Sequence, residues 1–194
     1  MGGSVARALV CALLVAGTAS AAPLGRRVAR AADKLVGRES LAEVTRAYPD
    51  DCSGFVRYVY ARAGLELKPE AAGDGGSVAA GLYRKLRRQG HLRRRTARPG
   101  DLVFFRDTWD KNRDGKLDDG ITHVGIVDRV HRDGTVSFVH RAHAGIVRSK
   151  LDLRHPHLRR DKAHRVHNDV LRRKSAGHEA LGAGDLLAGF ASPR

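Results

Sequence analysis

Cysteine is scarce: the chain has two. Cys11 lies in a short apolar run, residues 8–16, that follows Arg7 and precedes Ala19-Ser20-Ala21. A positive start, an apolar stretch and a small-residue exit are the marks of a cleaved secretory leader, here residues 1–22. Removing it leaves roughly 170 residues, enough for one domain with a full core. Cys52 is then the sole thiol, which excludes a disulfide within the mature chain, although an exported protein works where disulfides form. Val10 stands before Cys11 where a lipoprotein site wants a small residue, which argues against a lipid anchor.

Long apolar runs are lacking as well. The uncharged stretch 8–24 is broken by Gly17, Thr18, Ser20 and Pro23, whereas a membrane span needs about 20 mostly apolar residues. No later segment qualifies, so the expectation is a secreted or periplasmic protein with no transmembrane segment. Acidic residues are few, 21 against 36 Lys and Arg, for a formal charge of +15. Only Tyr83 stands beside the basic stretch 84–98, and no recognised nucleic-acid motif appears, so nucleic acid is not the expected partner. Outside the cytoplasm, such a charge favours anionic cell-wall polymers.

What is present reads as alternating structure. Residues 26–48 carry Val28, Ala31, Ala32, Leu35, Leu41 and Val44 at helical spacings around Gly37, predicting one or two leading helices. From Cys52 to Gly64, Phe55, Val56, Val59, Tyr60 and Ala63 form an apolar helical face, with Asp50 or Asp51 as cap and Gly64 as stop. A further helix is predicted over 77–89, whose basic face runs on into 91–98 as a solvated surface. Pro99-Gly100-Asp101 turns the chain into a buried strand, 102–105. Strands 123–130 and 135–140 are joined at Arg132-Asp133-Gly134, a hairpin signal. Helices followed by an antiparallel sheet make an α+β plan. The expected divisions are a helical segment 23–47, a catalytic domain 48–150 with an acidic loop 107–120, and a basic extension 151–194. In that extension Leu181, Leu186, Leu187 and Phe190 suggest a short docking helix.

A cysteine attacks as thiolate, and a helix N-terminus or a nearby imidazole lowers its pKa. Cys52 has the first by position, and His123 is placed to offer the second. Four blocks then carry a resemblance: Asp51-Cys52-Ser53-Gly54-Phe55-Val56, Pro99-Gly100-Asp101-Leu102-Val103-Phe104-Phe105, His123-Val124-Gly125-Ile126-Val127 and Phe138-Val139-His140. In this order they resemble the signatures of NlpC-type cell-wall endopeptidases.

The resemblance implies a papain-like α+β fold and a triad of Cys52, His123 and His140; the spread of histidines itself leaves His131 and His143 as rivals for the third place. It implies amide hydrolysis through a thioester, with the Cys52 backbone N–H as an oxyanion donor. Asp51, Ser53 and Tyr48 match positions that line the substrate end of the cleft, although the family's glycine pair before the nucleophile is absent. The implied substrate is peptidoglycan, at the bond from D-glutamyl to diamino acid in the stem peptide. The alternatives are a CHAP-type amidase, acyl transfer on the same scaffold, and a non-catalytic cationic wall-binding protein.

Strand geometry sets a condition on that triad. A tight turn at Asp133-Gly134 pairs His140 with Val127, leaving His123 roughly 13 Å away along the strand at about 3.3 Å per residue. Direct contact needs a bulge or a wider loop.

A second motif lies between the strands. Asp110, Asn112, Asp114, Lys116 and Asp118, with Gly115 at the sixth place, fit the first nine positions of an EF-hand-type calcium loop. Ile121 occupies the twelfth place, where a bidentate glutamate belongs, so the expected site is weak and structural unless Asp107 or Asp119 substitutes. Catalysis by a thiol calls for no cofactor.

Overall fold

The computed structural model describes residues 22–71, 76–175 and 177–194; the leader assigned to residues 1–22 lies, apart from Ala22, outside them. Helix α1 (Leu24–Asp33) and a 3-10 turn (Leu41–Glu43) lead into α2 (Cys52–Arg62) and α3 (Val78–Arg88). The strands are β1 (Leu92–Arg93), β2 (Leu102–Arg106), β3 (Ile121–Val130), β4 (Thr135–Ala142), β5 (Gly145–Asp152), β6 (Val170–Arg172), β7 (Leu181–Gly182) and β8 (Leu187–Ala191), with a four-residue α4 (Ala183–Leu186) before the last. Six strands form one antiparallel sheet in the order β1-β8-β2-β3-β4-β5, and β6 pairs with β7. No helix among the described residues is long and apolar enough to cross a membrane.

The core has two halves because β2 is buried on both faces. Leu102 and Phe104 pack with Phe55, Val56, Val59 and Tyr60 of α2 and with α1 and α3. Val103 and Phe105, which point the other way, pack with Val127, Phe138, Leu186 and Phe190. This explains the unbroken Leu-Val-Phe-Phe run, since a strand covered on both sides has no polar face to alternate with.

The C-terminal stretch departs from expectation. Only α4, with Leu186 buried in the core, is the short helix expected; the rest is strand, and β8 inserts between β1 and β2, pairing Leu102 with Ala191 and Val103 with Phe190. Phe190 faces one core half and Ala191 the other, a period of two that suits a strand. The leading segment gives one helix and a 3-10 turn, within the one or two helices expected, and Gly37, at a φ of 93°, lies in the turn between them. Within the basic stretch, Leu92 and Arg93 are drawn in as β1 beside β8.

Candidate active site

Helix α2 begins at Cys52 because Asp51 caps it. One oxygen, Oδ1, accepts from Ser53 N at 2.8 Å, Gly54 N at 2.7 Å and the Ser53 hydroxyl at 2.7 Å. Gly54 is dictated by its neighbour: a Cβ there would lie 1.9 Å from the Pro49 carbonyl oxygen. Asp50 accepts two hydrogen bonds from the Arg141 guanidinium, at 2.7 and 2.9 Å, and one from Leu41 N at 2.8 Å. The Arg141 guanidinium holds the Asp50 carboxyl well below the usual carboxylate range. This clamp ties the start of α2 to the end of β4, next to His140.

The β3–β4 pairing supplies the irregularity that the histidines require. Arg129 pairs with Ser137 and Val127 with Phe138, so Asp128 is the extra residue of a bulge. Beyond it the register runs Ile126 to Val139, which sets His140 opposite Gly125 and diagonal to His123 on one face. His123 Nε2 lies 2.8 Å from His140 Nδ1, with ring centroids 4.9 Å apart and planes at 87°. His140 Nε2 is in turn 3.1 Å from the hydroxyl of Ser149, a buried residue of β5 that sequence reading did not single out. Gly125 leaves room for this pair, since a Cβ there would sit 3.2 Å from that of His140. Phe105 and Phe138 flank the two rings, at centroid distances of 6.3 Å to His123 and 5.1 Å to His140.

The electrostatics correct one expectation. Burial pushes the Cys52 thiol up to about 11, and the Asp51 carboxylate pushes in the same direction. Hydrogen bonds from backbone groups of Val124, Cys52 and Ser53 oppose the rise without cancelling it. The helix N-terminus contributes less than its position promised because Asp51 already occupies the Ser53 and Gly54 amides and brings a negative charge. Burial also depresses the His123 imidazole to about 4, only partly offset by Asp51, and holds His140 well below its ordinary value. At neutral pH the resting site therefore holds a neutral thiol and neutral imidazoles.

A cleft of about 1290 Å³ gathers Asp51, Cys52, Ser53, His123 and His140. Its other walls come from the start of α3, the acidic loop with the half-exposed Trp109, and residues 170–175 with His178. Tyr48 is not among its lining residues: its ring packs edge-on to Tyr58 at 5.9 Å under the Arg57 guanidinium, and its hydroxyl lies 3.4 Å from a Glu66 oxygen. Of the rival histidines, His131 bonds the Ser137 hydroxyl at 2.8 Å and His143 lines the cleft.

The acidic loop is curled by its own side chains. Asp110 accepts from Arg113 N at 2.7 Å and Gly115 N at 2.9 Å, Asn112 from Asp114 N at 3.0 Å, and Asp114 from Lys116 N at 2.9 Å. Asp119 and Asp107 close the loop by accepting from Lys111 N at 2.7 Å and Gly120 N at 2.8 Å. The Gly115 carbonyl meets His178 Nε2 at 3.1 Å, which joins the loop to the opposite cleft wall.

Helices on an antiparallel sheet, with a cysteine opening a helix and a histidine pair on adjoining strands, define a papain-like α+β protein. The chain belongs to the NlpC/P60 family, whose model matches residues 42–165. Members of that family are generally cysteine peptidases and related hydrolases that act on peptidoglycan. The solved structure of NlpC1 from Trichomonas vaginalis is 23% identical, with a TM-score of 0.40, over 67% of this chain and 39% of that one. The chain thus spans less than two thirds of that neighbour's length. No curated protein matches.

Proposed function

We propose that this protein is an exported cysteine endopeptidase that cleaves peptidoglycan stem peptides between D-glutamyl and diamino acid residues, with Cys52, His123 and His140 as its triad. The observation that carries the reading is the 2.8 Å bond between His123 Nε2 and His140 Nδ1 in the cleft that Cys52 opens onto. If His140 Nδ1 is the acceptor, His123 carries its proton on Nε2 and keeps Nδ1 free as the base. His140 then holds its own proton on Nε2, where the Ser149 oxygen accepts it.

The neutral resting pair gives the reaction a general-base character. The proton passes from Sγ to His123 Nδ1 as sulfur attacks the amide carbon, and the Cys52 backbone N–H serves the oxyanion. Collapse breaks the C–N bond, and the leaving amine takes the proton from His123. Water, deprotonated by the same ring, then opens the thioester to release the acid and restore the thiol. Asp51 and Ser53 border the nucleophile on the substrate side, while Arg172, Arg173 and Lys174 offer charge partners for stem-peptide carboxylates. The net charge of +15, one less once Arg7 leaves with the leader, adds attraction to anionic wall polymers.

Digestion of purified peptidoglycan, read by mass spectrometry, tests the reading. New diamino acid N-termini, absent with Cys52→Ala, are the expected products. Whole stem peptides released from the sugar would instead assign an amidase, and lysis undiminished in Cys52→Ala would reject thiol catalysis.

Calcium in the 107–120 loop belongs to the same reading. Asp110, Asn112, Asp114, the Lys116 carbonyl and Asp118 would hold it, fixing a loop that both leads into β3 and lines the cleft. Millimolar calcium, the range of extracellular modules, is expected to raise the thermal midpoint of the wild type but not of Asp110→Ala. Identical midpoints with calcium and with chelator would remove the ion from the account.

A further inference from the structure

Among the described residues, one cluster of ligand-type side chains lies outside the cleft. Asp152, the last residue of β5, has a buried carboxylate whose Oδ2 meets His167 Nδ1 at 2.7 Å and His155 Nδ1 at 3.1 Å. The three ligand atoms all lie within 4.8 Å of one another, and the two rings stand 5.6 Å apart at 86°. Ligand atoms about 2.0–2.2 Å from a shared ion sit about 2.8–3.6 Å from each other in octahedral or tetrahedral geometry. Two of the three spacings, 2.7 and 3.1 Å, are therefore already near those that an ion would impose, and the third is within 4.8 Å.

The surroundings match what such a site needs. Asn168, itself buried, accepts from Asp152 N at 2.9 Å and donates to the carbonyls of His155 and Leu158 at 2.9 and 2.8 Å. The backbones of Asp152 and His155 are thus fixed by a side chain adjacent to His167. On the far side of the His167 ring, Nε2 lies 3.6 Å from Asp161 Oδ2. Asp161 is held by Arg165, through N at 2.9 Å and Nε at 2.6 Å. When Nδ1 of His167 faces a metal its proton must sit on Nε2, and a carboxylate waiting there is the usual outer partner of a ligating imidazole.

We propose that Asp152, His155 and His167 bind a divalent transition ion of the zinc class, with Asp161 orienting His167. Two imidazoles and one carboxylate suit that class rather than calcium or magnesium, which prefer all-oxygen shells. Three protein ligands leave a position for water. The site joins the end of β5 to the segment that runs into β6, whose residues 170–172 line the cleft. The ion would pin the cleft wall at its root, and the reading does not depend on the reaction that the cleft performs.

Zinc titration of the full chain against a chromophoric chelator tests the site. The wild type is expected to take up one ion more than His155→Ala or His167→Asn, and Asp161→Asn to bind the same number about 10–100-fold more weakly. His155 is exposed, so its truncation should leave the far-ultraviolet circular dichroism in chelator unchanged. Cobalt should show visible d–d bands without a thiolate charge-transfer band, and His155→Ala should abolish them. Equal zinc uptake and affinity in both histidine variants, or a cobalt spectrum dominated by thiolate, would overturn the assignment.

Discussion

Cys52 and Asp51 pull against each other, and the balance decides how readily the thiol ionises. The carboxylate that starts the helix also disfavours the anion that the helix end would stabilise, and burial adds to it, leaving the thiol at about 11. Alkylation of Cys52 by iodoacetamide is therefore expected to be slow at neutral pH and to climb toward about pH 11. A rate that is flat from acid pH upward would signal a preformed thiolate and imidazolium pair. His123 makes a second pH prediction. Its folded value of about 4 lies below the ordinary 6.5, so the unfolded chain takes up the proton first. The stability that the neutral ring preserves is complete above about pH 6.5 and is lost as the pH falls toward 4, which chemical denaturation at stepped pH will show. In the proposed triad Ser149 would act through His140, as a positioning residue. Ser149→Ala should lower kcat about tenfold with KM little changed, and Ser149→Thr should recover part of it.

At the scale of elements, two glycines locate the machinery. Gly54→Ala drives a Cβ to 1.9 Å from the Pro49 carbonyl oxygen, so α2 must shift or the chain must lose stability, by about 3 kcal/mol or more. Gly125→Ala brings a Cβ within 3.0 Å of the Val139 carbonyl oxygen and 3.2 Å of the His140 Cβ, and should cut kcat with a smaller loss of thermal midpoint. The elements that sequence made plain are those with a local cause. The α2 face, its Asp51 cap, the double-sided β2 run and the β3–β4 hairpin each follow from a few adjacent residues. The elements that escaped depend on distant partners: β1 is two residues long and β8 five, and both become strands only by pairing with each other, β8 also with β2. At the site, four motif blocks marked Cys52, His123 and His140. Ser149 was hidden because a lone serine between Arg148 and Lys150 carries no signal until β5 pairs with β4. Tyr48 was matched by residue type, and its packing against Tyr58 and Arg57 could not be read from spacing.

The whole molecule is held together by its C-terminal stretch. Deleting residues 181–194 removes β8 from between β1 and β2 and uncovers Val103 and Phe105, so the shortened chain is expected to be insoluble or unfolded rather than merely trimmed. Gel filtration and circular dichroism of the truncated protein will tell. The same interleaving sets the timetable of folding. A strand inside the sheet whose partner Leu102 lies far back in the sequence from Ala191 must close a long loop before the core can seal. Ordering of β8 should be a late event in refolding, which leaves the apolar seam along Val103 and Phe105 as the last part of the molecule to be shut away from water.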